Sequence, residues 1–147
     1  MLKPAVALLT LACAATFSLA QTPLRIRLID GKNGKPLTPT TIRVQPTPAE
    51  QPRYLIPAAD PASVLVYLKS ATTFTVTDQF KSCATPKPTD PQPQFSVPEV
   101  LDHGAVSPNA CGKFQAAPKK GELVLYVRHA TPCEEAKEHV TGVNFCN

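Results

Sequence analysis

The chain has 147 residues, a formal net charge of +4, seventeen prolines, six glycines, five cysteines and no tryptophan. So mild and scattered a charge excludes the electrostatic footprint of a nucleic-acid binder. Proline at this density excludes long helices over most of the chain, because it removes a backbone donor and clashes with the preceding turn.

Lys3 supplies a short positive n-region, Ala5 to Ala15 is apolar and uncharged, and Ser18 and Ala20 are small residues suited to a cut after Ala20. This is the pattern of a cleavable signal peptide over residues 1–20, and it predicts a secreted or periplasmic protein with no membrane span after cleavage. A retained anchor is one rival reading, since the uncharged stretch from Pro4 to Pro23 approaches spanning length. Its dense Ala, Ser and Thr content makes it weakly apolar for that role. Lipidation at Cys13 is the other rival, but Thr10-Leu11-Ala12 is a poor lipobox and the apolar run continues past the cysteine.

Taking residues 1–20 from 147 leaves 127, a single domain over 21–147 with room for a modest core. Its charge is fourteen basic minus eleven acidic residues, or +3, once Lys3 is gone. Cys83, Cys111, Cys133 and Cys146 remain. An even count in an exported chain predicts two disulfides, with three connectivities open.

Leu24 to Asp30 alternates, with Leu24, Ile26 and Leu28 on one face and Arg25 and Arg27 on the other, as in a half-buried strand. Asp30-Gly31-Lys32-Asn33-Gly34 supplies turn residues, and Thr40 to Val44 reads as a second strand. Pro46 to Pro61 holds five prolines and reads as loop, with at most one short edge strand around Arg53-Tyr54-Leu55-Ile56. Ser63 to Leu68 alternates little, which predicts a central strand covered on both faces. Thr73 to Thr77 alternates cleanly, with Phe74 and Val76 inward, and Lys69-Ser70-Ala71-Thr72 fits a hairpin connection between these two strands.

Thr85 to Gln94 is rich in proline and reads as extended and exposed. Ser96-Val97-Pro98-Glu99 matches a capping box that opens a short helix, with Gly104 placed to end it. Glu122 to Arg128 is the clearest strand of the chain. Thr131-Pro132-Cys133-Glu134 is a second capping box, with proline in the first helical turn, and opens a helix to about Val140. Short strands, frequent turns and one or two short helices predict a mainly β fold, a small Ig-like or prealbumin-like β-sandwich.

The opening stretch from Leu24 to Leu37, with its strand, Gly turn and Gly34-Lys35-Pro36, resembles the start of carboxypeptidase regulatory-like domains, which are prealbumin-like sandwiches. Phe95 to Lys113 and Pro118 to Arg128 resemble a group of small secreted acidobacterial proteins that combine a short helix, a valine turn, a Cys and a Gly-Glu-Leu strand. The resemblance implies the sandwich fold and an exported location. It also implies that a Cys after the central strand pairs with one beside the valine turn, here Cys83 with Cys111, leaving Cys133 for Cys146. The usual Asp-x-x-Gly turn before the third strand is replaced by Pro57-Ala58-Ala59-Asp60-Pro61, and the Cys133 and Cys146 pair is an addition to the pattern.

Three histidines are present: His103, His129 and His139. Asp102 and His103 are adjacent at a helix end and point in different directions, so neither orients the other as a catalytic dyad requires. Glu135 and His139 lie four apart on one helix face, a spacing that suits a surface pair and supplies too few ligands for a metal. No Gly-x-Ser-x-Gly elbow or phosphate-binding loop occurs. The Tyr-Arg-Gly-Ser ending of the hydroxyisourate hydrolases, enzymes on the prealbumin-like sandwich, is replaced by Asn144-Phe145-Cys146-Asn147.

No catalytic, cofactor-binding or metal-ligating residue is therefore assigned. The sequence predicts a non-enzymatic exported module with a binding or structural role at the cell envelope. Its expected partner is an envelope protein or a glycan, met through the loops Pro46–Pro61 and Thr85–Gln94. The alternative is a small periplasmic hydrolase with a histidine-centred site at His103 or His129. A carbohydrate-binding module is disfavoured by the absence of Trp and by only three Tyr.

Overall fold

The computed structural model describes residues 22–47, 51–57, 63–68, 71–84 and 91–139, with side chains described as far as Ala136. The expected signal peptide, Cys13, Cys146 and most of the Pro-rich stretch lie outside these residues. The strands are β1 (Leu24–Asp30), β2 (Pro36–Leu37), β3 (Ile42–Thr47), β4 (Arg53–Leu55) and β5 (Ser63–Val66). They continue as β6 (Thr73–Thr77), β7 (Lys81–Ser82), β8 (Gln94–Ser96), β9 (Ala105–Val106) and β10 (Glu122–Arg128), with helices α1 (Val97–Asp102) and α2 (Pro132–His139).

Two sheets divide these strands. In the first, β1 and β10 are parallel neighbours, paired from Arg25–Glu122 to Asp30–Val127. Parallel neighbours need a long connection, and here nearly the whole domain lies between them. β5 and β2 share the outer side of β1, while β9 and β7 share the outer side of β10. The second sheet is antiparallel in the order β4-β3-β6-β8. Pro46 is accommodated in β3 because β4 pairs only with Ile42 to Val44 and stops short of it.

The alternation read from Leu24 to Asp30 puts Leu24, Ile26 and Leu28 into the core, where Leu123, Leu125 and Val127 of β10 join them. Ile42, Val44, Phe74 and Val76 face them from the second sheet. These inner faces make the molecule a small β-sandwich. A second, smaller cluster covers the opposite face of the first sheet, where Ile29, Val124 and Tyr126 pack with Cys83. β10 is therefore buried on both faces, and its unbroken apolar run follows from that.

The same argument fails for β5. Leu65 is 49% exposed and Tyr67 46% exposed, because the strand lies at the rim and pairs with β1 rather than between two neighbours. The expected hairpin between it and β6 is also absent: β5 belongs to the first sheet and β6 to the second. Val64 and Val66 and then Phe74 and Val76 all reach the core, so the chain arches from one sheet to the other. A short polar connection fits either path, and sequence spacing does not distinguish them. Gln94 is exposed and extended as expected, and it also pairs with Thr75 as the first residue of β8.

The capping box at α2 forms in full, and at α1 its N-cap half forms. The Ser96 hydroxyl accepts from the Glu99 amide at 3.4 Å, and Gly104 follows α1 with φ +81°. At α2 the exchange is reciprocal: Thr131 Oγ1 accepts from the Glu134 amide at 3.3 Å, while Glu134 Oε2 accepts from the Thr131 amide at 2.8 Å. Arg53 to Leu55 forms the short edge strand expected within Pro46–Pro61.

Candidate functional site

Where β6 leaves the second sheet for β7 in the first, the chain crosses one open side of the sandwich. Asp78 makes this corner: its Oδ1 accepts from the Phe80 amide at 2.6 Å, an Asx turn. Gln79 anchors the corner from outside, its Oε1 accepting from the Thr40 amide at 2.8 Å.

Beneath the corner is a small open notch with a usable volume of about 40 Å³. Val76, Thr77 and Phe95 line it from the second sheet, and Ser82, Leu125 and Val127 from the first. Asp78, Phe80, Gln92 and Pro93 close its rim. Phe95 is steadied by Phe74, with ring centroids 5.8 Å apart, and Phe80 meets the His129 ring edge-on at 5.1 Å.

Burial pushes the Asp78 carboxyl up to about 6, against a smaller opposing effect of the Phe80 N–H. Desolvation disfavours the charged form, and a single amide donor leaves most of the carboxylate's acceptor capacity open. Ser107, which also borders the cleft, is committed elsewhere: its Oγ accepts from the Tyr126 amide at 2.9 Å and donates to the Pro108 carbonyl at 3.4 Å. The Tyr126 hydroxyl likewise accepts from the Ala116 amide at 2.6 Å. The chemistry at hand is thus a carboxyl group near neutrality, flanked by phenyl rings and by the polar side chains of Thr77, Ser82 and Gln92.

The residues singled out from the sequence lie elsewhere. Cys83 and Cys111 are bonded to each other, with Cα atoms 5.4 Å apart, and Cys83 is fully buried behind β10. Cys133 is also disulfide-bonded, and Cys146, the expected partner, is outside the described residues. His103 caps the end of α1 through its backbone, and its side chain and that of Asp102 are exposed. His129 is exposed and touches the cleft only through Phe80. The His139 side chain is outside the described set, so the Glu135–His139 pair is too. Among the described residues, no three His, Cys, Asp or Glu side chains gather to hold a metal, and no helix is long and apolar enough to cross a membrane.

Asp78 escaped the sequence reading because Asp-Gln-Phe after a strand is an ordinary turn signal. It shares the notch with Phe95 and Val127, both distant in sequence, so no local pattern announces it.

The fold and cleft define a small disulfide-bridged β-sandwich with a carboxylate-bearing notch between its sheets. No family model, curated protein or solved structure matches the chain.

Proposed function

We propose that this chain is an exported binding module of the cell envelope, which holds a small ligand in the cleft under the β6–β7 corner. The observation that carries the reading is the notch itself, in which the Asp78 carboxyl, raised by burial to about 6, shares a lining with Phe80, Phe95 and Val127. A buried ionisable group costs stability, and such sites cluster where ligands are handled. A binding role is preferred to hydrolysis because His103 and His129 stand outside the cleft. Export is supported by the leader pattern of residues 1–20 and by the Cys83–Cys111 bond, which suits an oxidising compartment. The resemblance of Leu24–Leu37 to carboxypeptidase regulatory-like domains supports the same setting.

The test is an amide-resolved NMR titration of the oxidised protein with small ligands of each charge type. Saturable shifts at Asp78, Phe80, Ser82 and Val127 are expected for at least one class, and none for the whole panel would overturn the reading. Mass analysis of exported protein should show a chain starting at Gln21. A retained residue 1–20 segment would remove the export part.

A further inference from the structure

We propose that the outer face of the β4-β3-β6-β8 sheet is a second site, which docks an acidic polysaccharide of the uronate class. The carboxylate of the glycan pairs with Arg43, and its sugar rings lie along the hydroxyl and amide side chains of the face. Strand register sets these side chains in rows. Tyr54, Arg43 and Thr77 form one row across β4, β3 and β6. Gln45, Thr75 and Gln94 form the next, across β3, β6 and β8. Thr47, Thr73 and Ser96 make a third. The residues between them, Val44, Phe74 and Val76 among others, fill the core, so the rows face outward. Successive rows stand about 6.8 Å apart along a strand, and neighbours within a row about 4.8 Å apart.

The rows hold one guanidinium and no carboxylate, and every other member is a hydroxyl, a carboxamide or a phenol. A merely solvated face mixes charges of both signs, as the outer face of the first sheet does with the Arg27–Glu122 ion pair at 3.2 Å. Arg43 Nη2 donates to Gln45 Oε1 at 3.2 Å, and no carboxylate pairs with it among the described residues. Charge complementarity therefore favours an acidic ligand, which a guanidinium grips through paired hydrogen bonds. Hydroxyls and carboxamides both donate and accept, as sugar hydroxyls do. Tyr54, beside Arg43 and 65% exposed, presents a ring that can cover the apolar face of a pyranose. The chain has no Trp for that purpose, and Tyr54 supplies the stacking surface here.

Other polymers fit less well. One guanidinium is too few for a nucleic acid, whose affinity comes from many phosphate contacts. An extended peptide adds to a sheet edge through its backbone, whereas the backbone beneath this face is engaged in the ladder. A flat array of side chains suits a chain whose own polar groups are lateral hydroxyls. Gln94 Nε2 donates to Thr47 Oγ1 at 3.5 Å, so side chains of the face are tied to one another as well as to solvent. Side chains held in place before the ligand arrives lose less freedom on binding.

The experiment uses the oxidised protein, expressed from its full 147-residue sequence, in an amide-resolved NMR titration at pH 7.5 and physiological salt. The probes are trigalacturonate, its neutral methyl ester and triglutamate, which is acidic but carries no sugar. Trigalacturonate should bind at least about tenfold tighter than either control, the effect of one charge-assisted pair. Its shifts should centre on Arg43, Gln45, Tyr54 and Thr75. Arg43→Gln should reduce trigalacturonate to the affinity of the ester, and Tyr54→Ala should weaken both sugars. The three-probe comparison on the unaltered protein decides the matter even if a variant does not fold. Equal affinity for the ester would overturn the acidic class, and equal affinity for triglutamate would overturn the glycan. Shifts gathered at Ser82 and Val127 would place the sugar in the notch, overturning this site while supporting the notch reading. No shifts from any probe would overturn the inference and leave the notch reading to its own titration.

Discussion

The side-chain amide of Asn109 donates to the backbone carbonyl of Gly31 at 3.0 Å, joining parts of the chain 78 residues apart. The same Nδ2 donates to the Phe114 carbonyl at 3.0 Å, and Oδ1 accepts from the Cys111 amide at 3.1 Å. The turn after β1 is thereby clamped to the loop that carries the disulfide.

That clamp makes Gly31 intolerant of a side chain. A Cβ there would stand 2.5 Å from Asn109 Oδ1, 2.8 Å from Cys83 Sγ and 3.0 Å from Cys111 Cβ. The disulfide is held at both ends and has little freedom to move aside. Gly31→Ala should therefore destabilise the fold by about 1–3 kcal/mol, as overpacking does. Urea denaturation measures this, and an unchanged midpoint would show that the loop yields.

The Cys83–Cys111 bond closes a loop of 28 intervals. On the chain-entropy account, such a loop stabilises the native state by roughly 3–4 kcal/mol. A Cys83→Ala, Cys111→Ala double variant should lose about that much, plus the packing of Cys83 against Val124 and Tyr126. Chemical reduction is a poorer test because it also opens the bond at Cys133.

Much of this architecture was legible in the sequence where one local pattern had one structural meaning. Alternation in Leu24–Asp30 and Thr73–Thr77 named the core residues, and the two capping boxes named both helix starts. The pairing of Cys83 with Cys111 came from resemblance, since four cysteines alone leave three choices. Sheet membership was not legible. Val64 and Val66 must be buried whether β5 turns back on β6 or arches to the other sheet, so the pattern is silent on the path. Asp78 was missed for a related reason: its environment is built by β8 and β10, far away in sequence.

At α2, Glu134 serves two partners at once, Arg128 across the strand end and the Thr131 amide at the helix start. The Arg128 guanidinium, and next the Thr131 N–H, hold its carboxyl well below the usual carboxylate range. A depressed folded pKa contributes stability at pH values above the ordinary value of 4.5, and this is lost as pH falls through the folded pKa. Glu134→Gln should therefore lower the hydrogen-exchange protection of α2 at pH 7, with the difference narrowing in strong acid. Thr131→Ala should cost about 1 kcal/mol of helix capping at either pH. An unaltered exchange pattern in both variants would mean that the disulfide at Cys133 alone holds the helix.

Asp78 has the opposite sign. Its carboxyl rises from 3.8 to about 6 on folding, chiefly through burial, so between these values the folded chain binds more protons than the unfolded one. Stability contributed by this group is present below pH 3.8 and is lost as pH rises through about 6. Across that window the loss is at most about 3 kcal/mol, from a shift of roughly two units. Asp78→Asn removes the titration while keeping an acceptor for the Phe80 amide, so the variant should be more stable than the parent at pH 7.5 and close to it at pH 4. Urea denaturation at the two pH values measures the difference, and equal stability at both would show that the carboxylate is solvated rather than buried.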